Sequence, residues 1–165
     1  MRVYTVTTHA ITLASITEFA EIKGAAGKMI FLLRAQWVAT DTSIPTAQMI
    51  DTSFKWLGAT LTDGTGGATT TPGAVDPGDA AASFTCKTNN TTASTSSGTT
   101  TVLLNVGGHV FNGIDQRFAM PGSEGGGLPP ALIAGPSEAI SWALNSTVSG
   151  TVHGNMALTI GEIGG

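Results

Sequence analysis

Side-chain polarity along much of this chain alternates every two residues, and that period sets successive side chains on opposite faces of a β-strand. Over residues 29–39, Met29, Phe31, Leu33, Ala35 and Trp37 are apolar, while the other positions begin with Ile30 and Leu32 and turn polar at Arg34 and Gln36. Over residues 48–57, Ile50, Phe54 and Trp56 oppose Asp51, Ser53 and Lys55. Residues 138–145 set Ile140, Trp142 and Leu144 against Ala139, Ser141 and Ala143. The last alternating segment sets Val152, Met156, Leu158 and Ile160 against His153, Asn155 and Thr159. Shorter or less regular alternation predicts further strands over residues 3–13, 18–22, 83–88 and 100–106.

That makes about eight strands, most with one dry face and one wet face, the pattern of antiparallel sheets. The expected fold is all-β: one domain over residues 1–165, a two-sheet antiparallel sandwich of jelly-roll type, with an immunoglobulin-like sandwich as the second expectation. Long Gly-, Thr- and Pro-rich loops interrupt it at residues 61–75 and 121–136, the first reading as an excursion or arm. A helix of one or two turns is predicted at residues 76–82, where Asp76 is placed to cap, Pro77 to open the first turn and Asp79 to complete a capping box.

Charged residues make up 11% of the chain, against ~25% in an average soluble protein. A surface so poor in charge must be covered by Thr, Ser, Asn and Gly or buried in an assembly. The net charge of -4 with no run of Lys or Arg argues against nucleic-acid binding, which needs a basic stripe to displace counterions. The longest aliphatic and aromatic run, Met29 to Leu33, falls far short of the ~20 residues that span a bilayer, so no membrane partner is expected. The N-terminal residues lack the apolar stretch of a secretory signal, which predicts synthesis in the cytoplasm of the producing cell. Cys86 is the single cysteine, reads as a small buried hydrophobe, and permits no intramolecular disulfide.

Chemistry-bearing constellations are sparse. Asp63-Gly64-Thr65-Gly66-Gly67, with Asp76 and Asp79 nearby, lacks the spacing of a calcium loop and reads as turn and cap residues. Ser123 stands in Pro-Gly-Ser-Glu-Gly, which is not the Gly-x-Ser-x-Gly elbow of a hydrolase. His9, His109 and His153 are dispersed, and His153 reads as solvent-exposed. Trp37, Trp56 and Trp142 fall in phase with apolar neighbours and read as core. Asn90-Thr91-Thr92 and Asn145-Ser146-Thr147 match the glycosylation pattern and read as chance matches in a Thr-rich chain. No catalytic group, cofactor or metal is expected.

Several stretches carry a resemblance: Val3-Tyr4-Thr5-Val6, then Pro77-Gly78-Asp79-Ala80-Ala81-Ala82 and Asn89-Asn90-Thr91-Thr92-Ala93, and finally Met156-Ala157-Leu158-Thr159-Ile160-Gly161-Glu162-Ile163. In this order they resemble small β-rich virion structural proteins of tailed bacteriophages, over residues 64–106 and at the two ends. The chain departs from that pattern at residues 107–127, where a Trp-Pro-Thr-Pro-type stretch is usual and His109-Val110-Phe111-Asn112-Gly113 stands instead. The resemblance implies a non-enzymatic capsid decoration, or cement, protein. It would be a homo-oligomer, often a trimer, on the outer capsid surface of a virion, with the major capsid protein as partner. The candidate assembly contacts are Met1, Arg2 and Tyr4 at the N-terminus, Thr65, Thr70 and Pro72 in the first long loop, and Leu128 and Pro130 in the second. The alternative is a carbohydrate- or receptor-binding module of a phage tail or fibre, which would use an exposed tryptophan.

Overall fold

The computed structural model describes residues 1–41, 46–58, 60–120 and 127–164. In chain order the strands are β1 (Arg2–Thr12), β2 (Glu18–Lys23), β3 (Met29–Ala39), β4 (Met49–Leu57), β5 (Leu61–Thr62), β6 (Ala68–Thr70), β7 (Gly73–Ala74), β8 (Thr85–Asn90), β9 (Thr95–Ser96), β10 (Thr100–His109), β11 (Ile114–Arg117), β12 (Leu132–Ala134), β13 (Ala139–Leu144) and β14 (His153–Ile163). The eight segments predicted from alternation correspond to β1, β2, β3, β4, β8, β10, β13 and β14. The strands missed, such as β11 (Ile-Asp-Gln-Arg), are too short or too polar to show a period.

Eight strands build the sandwich. Sheet A runs β11-β3-β14-β1 and sheet B runs β10-β4-β13-β2, all antiparallel. Numbered by their own order in the chain, these are 6-3-8-1 against 5-4-7-2, the strand order of a jelly roll.

The long insertion between β4 and β10 is part of the fold. Its strand β7 extends sheet A beside β1, while β8 and then β6 extend sheet B beside β2, and β5 pairs with β9. Residues 61–75 are therefore not a free arm. Their threonines and glycines hold few apolar groups to bury, but their backbone completes hydrogen-bond ladders that two edge strands would otherwise leave open.

The predicted helix at residues 76–82 does not form. Its capping chemistry is present, since Gly78 N–H donates to Asp76 Oδ1 at 2.9 Å and Asp79 N–H donates to Asp76 O at 3.0 Å. These bonds close a single turn, and the Ala80 carbonyl is already engaged by the Tyr4 hydroxyl at 2.9 Å. The helical element among the described residues is a short 3-10 turn, Leu13–Ser15.

Between the sheets lies an aromatic stack. Phe19 stacks on Trp142 at 4.5 Å, Trp142 on Phe54 at 5.3 Å, and Phe118 meets Phe54 edge-on at 5.6 Å. Burying each such side chain contributes roughly 1.5–3 kcal/mol. One face assignment changes. A bulge in β3 opposite Thr159 and Ile160 shifts the register of the strand. Ile30 and Leu32 thereby join Ala35 and Trp37 in the core, and Met29, Phe31 and Leu33 are left out of it.

Candidate functional site

The bulge in β3 has a chemical result on the outer face of sheet A. Met29 stands beside Ile163 of β14, and Phe31 stands between Gly161 of β14 and Ile133 of β12. Gly161 has no side chain, and the N-terminal Met1 fills the space above it: a Cβ on Gly161 would lie 2.7 Å from Met1 Sδ and 3.6 Å from Leu33 Cδ1. Met1, Met29, Ile133 and Ile163 are each between 41% and 48% exposed. They surround the buried Phe31 and make an apolar patch at one end of a sheet face whose remainder carries Thr5, Thr7, Arg34, Gln36, Val38 and Asp115. Contiguous exposed apolar surface marks sites of interaction.

Strict alternation hid this patch. It set Met29, Phe31 and Leu33 on one face with Ala35 and Trp37, and the single-residue offset that separates them carries no sequence mark. Ile133 lies in a three-residue strand too short to show a period.

Of the residues chosen from sequence, Met1 belongs to the patch. Arg2 is exposed beside it, with its Nε 3.8 Å from Asp79 Oδ1. Tyr4 is not a surface contact: its ring is fully buried edge-on against Phe84 at 5.5 Å, and its hydroxyl donates to Ala80 O. On β1 it shares the inward face with the buried Val6, while Thr5 between them is exposed. Thr65 is exposed but bridged to Thr92, Thr70 is half-buried with its hydroxyl 2.9 Å from that of Thr88, and Pro72 is half-buried between β6 and β7. Those three serve the insertion's own packing. Leu128 and Pro130 are exposed, next to the Ala119 N–H that donates to Pro129 O at 2.8 Å. Residues 121–126, with Ser123, lie outside the described residues.

A second cluster is polar and buried. On β2, Glu18 accepts from Asn90 Nδ2 at 2.6 Å, from Ser94 N–H at 3.2 Å, and from the hydroxyls of Ser94 and Ser141. Glu21, also on β2, accepts from Gly64 N–H at 2.9 Å through Oε2, and its Oε1 has no partner. Burial, with Asp63 and Glu18 nearby, raises the Glu21 carboxyl to about 7 despite the Gly64 hydrogen bond and Lys23. Asp63 is held low, first by the 2.7 Å hydrogen bond from Lys23. Lys87 Nζ donates to Gly64 O at 2.7 Å. The Asp63-to-Gly67 segment lies flat over these groups because its glycines permit it: a Cβ on Gly64 would sit 2.3 Å from Asn90 Nδ2, and one on Gly67 would sit 2.3 Å from Thr88 O. The turn reading of this Gly-rich segment holds, and its glycines serve close approach as well.

The remaining groups are placed as follows. His153 is half-buried and paired with Asp41, whose oxygens lie 2.7 Å from Nδ1 and 2.8 Å from the His153 amide, holding the Asp41 carboxyl below its usual range. His109 Nδ1 accepts from Phe111 N–H at 3.3 Å, and His9 is exposed on β1. Trp37 and Trp142 are buried; Trp56 is half-buried with its indole N–H donating to Glu138 Oε2 at 3.0 Å. Asn90 is fully buried against Glu18, which closes that glycosylation pattern to a sugar in the folded chain. Among the described residues, no three His, Cys, Asp or Glu side chains are grouped so as to hold a metal.

This chain matches no protein-family model, no curated protein and no solved structure.

Proposed function

We propose that this chain is a structural protein of a bacteriophage virion, a capsid decoration protein that sits on the outer shell and reinforces the lattice of the major capsid protein. The apolar patch around Gly161 carries this reading: Met1, Met29, Ile133 and Ile163 present surface that a monomer in water gains nothing by exposing. A charge fraction of 11% and a Thr-rich exterior suit wet, adaptable contacts in an assembly. The jelly roll supplies a rigid platform for such a patch, although a fold alone assigns no function. Copies gathered as a trimer at a threefold position would engage several lattice subunits at once, so modest single contacts sum to firm attachment. The carbohydrate-binding alternative draws no support from the tryptophans, two of which are buried and the third half-buried.

The test is co-sedimentation with expanded capsid shells of the encoding phage assembled without this protein. Saturable binding at a copy number that is a simple fraction of the shell's subunits is the expected outcome. The double substitution Met29→Lys and Ile163→Lys, at exposed positions, should abolish it while leaving the melting temperature near that of the unmodified chain. Absence of binding by the unmodified chain at micromolar concentration defeats the proposal.

A further inference from the structure

The four lateral ends of the two sheets are not finished alike. Sheet A ends in β7, two residues long, and on its other side in β11 and β12, four and three residues long, where Arg34, Asp115 and Arg117 form a charged cluster. Sheet B ends on one side in β6, three residues long, and on the other in β10, ten residues long. Short strands and charge are the usual ways of blunting an edge. β10 carries no Asp, Glu, Lys, Arg or Pro, and none of the four charged types occurs anywhere between Lys87 and Asp115. Among the described residues β10 pairs with β4 alone, so one of its ladders faces outward.

The geometry points to β10 as a seam between two copies of this chain, paired antiparallel across a two-fold axis. An exposed backbone ladder accepts another strand, and like charges set opposite one another oppose that pairing. β10 laid against itself opposes none; the nearest charges in register, Asp51 and Lys55, sit one strand in, on β4. A head-to-tail contact would need a second edge of similar length: β6, β7, β11 and β12 offer at most four residues each, and the stretch of β1 past Thr5 that β7 leaves uncovered is broken by the register shift between Thr8 and Ile11. The complement of β10 is therefore β10, which makes the contact isologous. A bulge at Leu103 ends the regular register, so the seam runs over residues 104–109, where pairing would also cover the half-buried Leu104 and Val106. The seam lies on sheet B and the apolar patch on sheet A, so failure of one leaves the other standing.

Analytical ultracentrifugation of the intact chain tests it, comparing the unmodified protein with the double variant Asn105→Lys and Gly107→Lys. Both positions are exposed, lie within the seam and stand opposite Ser53 and Asp51 of β4 in register, away from the core. The unmodified chain should sediment, in a concentration-dependent way, at twice the mass of the species the lysine variant forms. Mixing the lysine variant with Asn105→Glu and Gly107→Glu should restore the doubled mass, because unlike charges then face each other across the seam. Equal masses for the unmodified and lysine chains at every concentration overturn the seam. Hydrogen exchange on the unmodified chain gives a readout free of any folding defect. Amides of residues 104–109 should exchange faster on dilution, and exchange indifferent to concentration overturns the proposal equally.

Discussion

Gly64 donates its backbone N–H to one oxygen of the buried Glu21 carboxyl, at 2.9 Å, while the other oxygen has no partner. The charged form of Glu21 is therefore poorly compensated, and burial raises it from an ordinary 4.5 to about 7. Between those two values the unfolded chain holds fewer protons at this position than the folded chain, so stability declines as pH rises. The full decline is roughly 3 kcal/mol, complete above pH 7. The lowered carboxyls of Asp41, Asp63 and Asp115 act in the opposite sense, contributing above their ordinary value of 3.8 and fading as pH falls below it. Urea denaturation should therefore find greatest stability near pH 5, and Glu21→Gln should remove the decline toward pH 8. A variant that keeps the slope of the unmodified protein would place the effect elsewhere.

The glycines over this carboxyl should differ sharply from glycines in the open. At Gly67 a Cβ would meet Thr88 O and Asn90 Oδ1, both at 2.3 Å, and backbone on a central ladder cannot yield cheaply. Gly67→Ala should destabilise by about 3 kcal/mol, at the upper end of overpacking. Gly27, with φ +70° and nothing within 4 Å of its Cβ position, should lose only about 1 kcal/mol on substitution by alanine, from left-handed strain alone. Similar losses at the two sites in thermal denaturation would contradict the close packing of the Asp63-to-Gly67 segment.

Two core tryptophans can be told apart by their nitrogens. Trp142 Nε1–H donates to Thr52 Oγ1 at 3.1 Å, whereas Trp37 Nε1 is buried with no partner. Replacing Trp37 by phenylalanine removes an unsatisfied donor along with some volume, and these terms offset in part. Replacing Trp142 removes volume and a satisfied hydrogen bond from the middle of the aromatic stack. Equilibrium unfolding should show Trp142→Phe to be the costlier change by about 1 kcal/mol or more. The reverse order would mean that the Trp37 nitrogen finds a partner in solution.

Cys86 is fully buried on β8, and its thiol is pushed up to about 12 by burial, with Glu21 and Glu18 adding to the effect. A thiol reagent at neutral pH should label it only when the sheet opens. Labelling should be far slower than for the chain in denaturant, and should quicken with urea well before global unfolding if β8 opens locally. Immediate labelling of the native chain would mean that β8 and the insertion do not cover sheet B.

The major strands were legible because each has enough alternating residues to establish a phase. Met49–Leu57 and Ala139–Leu144 were placed to within a residue or two at each end. Two kinds of feature were not legible. One is the bulge in β3, where a single added residue turns Met29 and Phe31 outward and Ile30 inward, although every residue in the run is apolar. The other is long-range pairing by residues with little to bury. Ala68–Thr70 and Gly73–Ala74 read as loop because their contribution is backbone hydrogen bonding to partners 16 to 70 positions away, which no local pattern encodes. The apolar patch depends on the first kind, so sequence reached only its Met1 corner. Residues 61–75, which read as an excursion or arm, belong to the second kind: the excursion returns to pair with β1 and β8.

β14 lies between β1 and β3 and is hydrogen-bonded to both along nearly its whole length. A nascent chain from which β13 but not β14 has emerged holds all four main strands of sheet B, whereas sheet A at that point lacks the strand that joins β1 to β3. Until residues 153–163 emerge, any other extended segment that pairs with β1 or β3 competes for the ladders β14 will occupy. The order of synthesis therefore sets closure of sheet A after the main strands of sheet B are all available, and leaves the open edges of β1 and β3 exposed to chaperones and neighbouring chains in the interval.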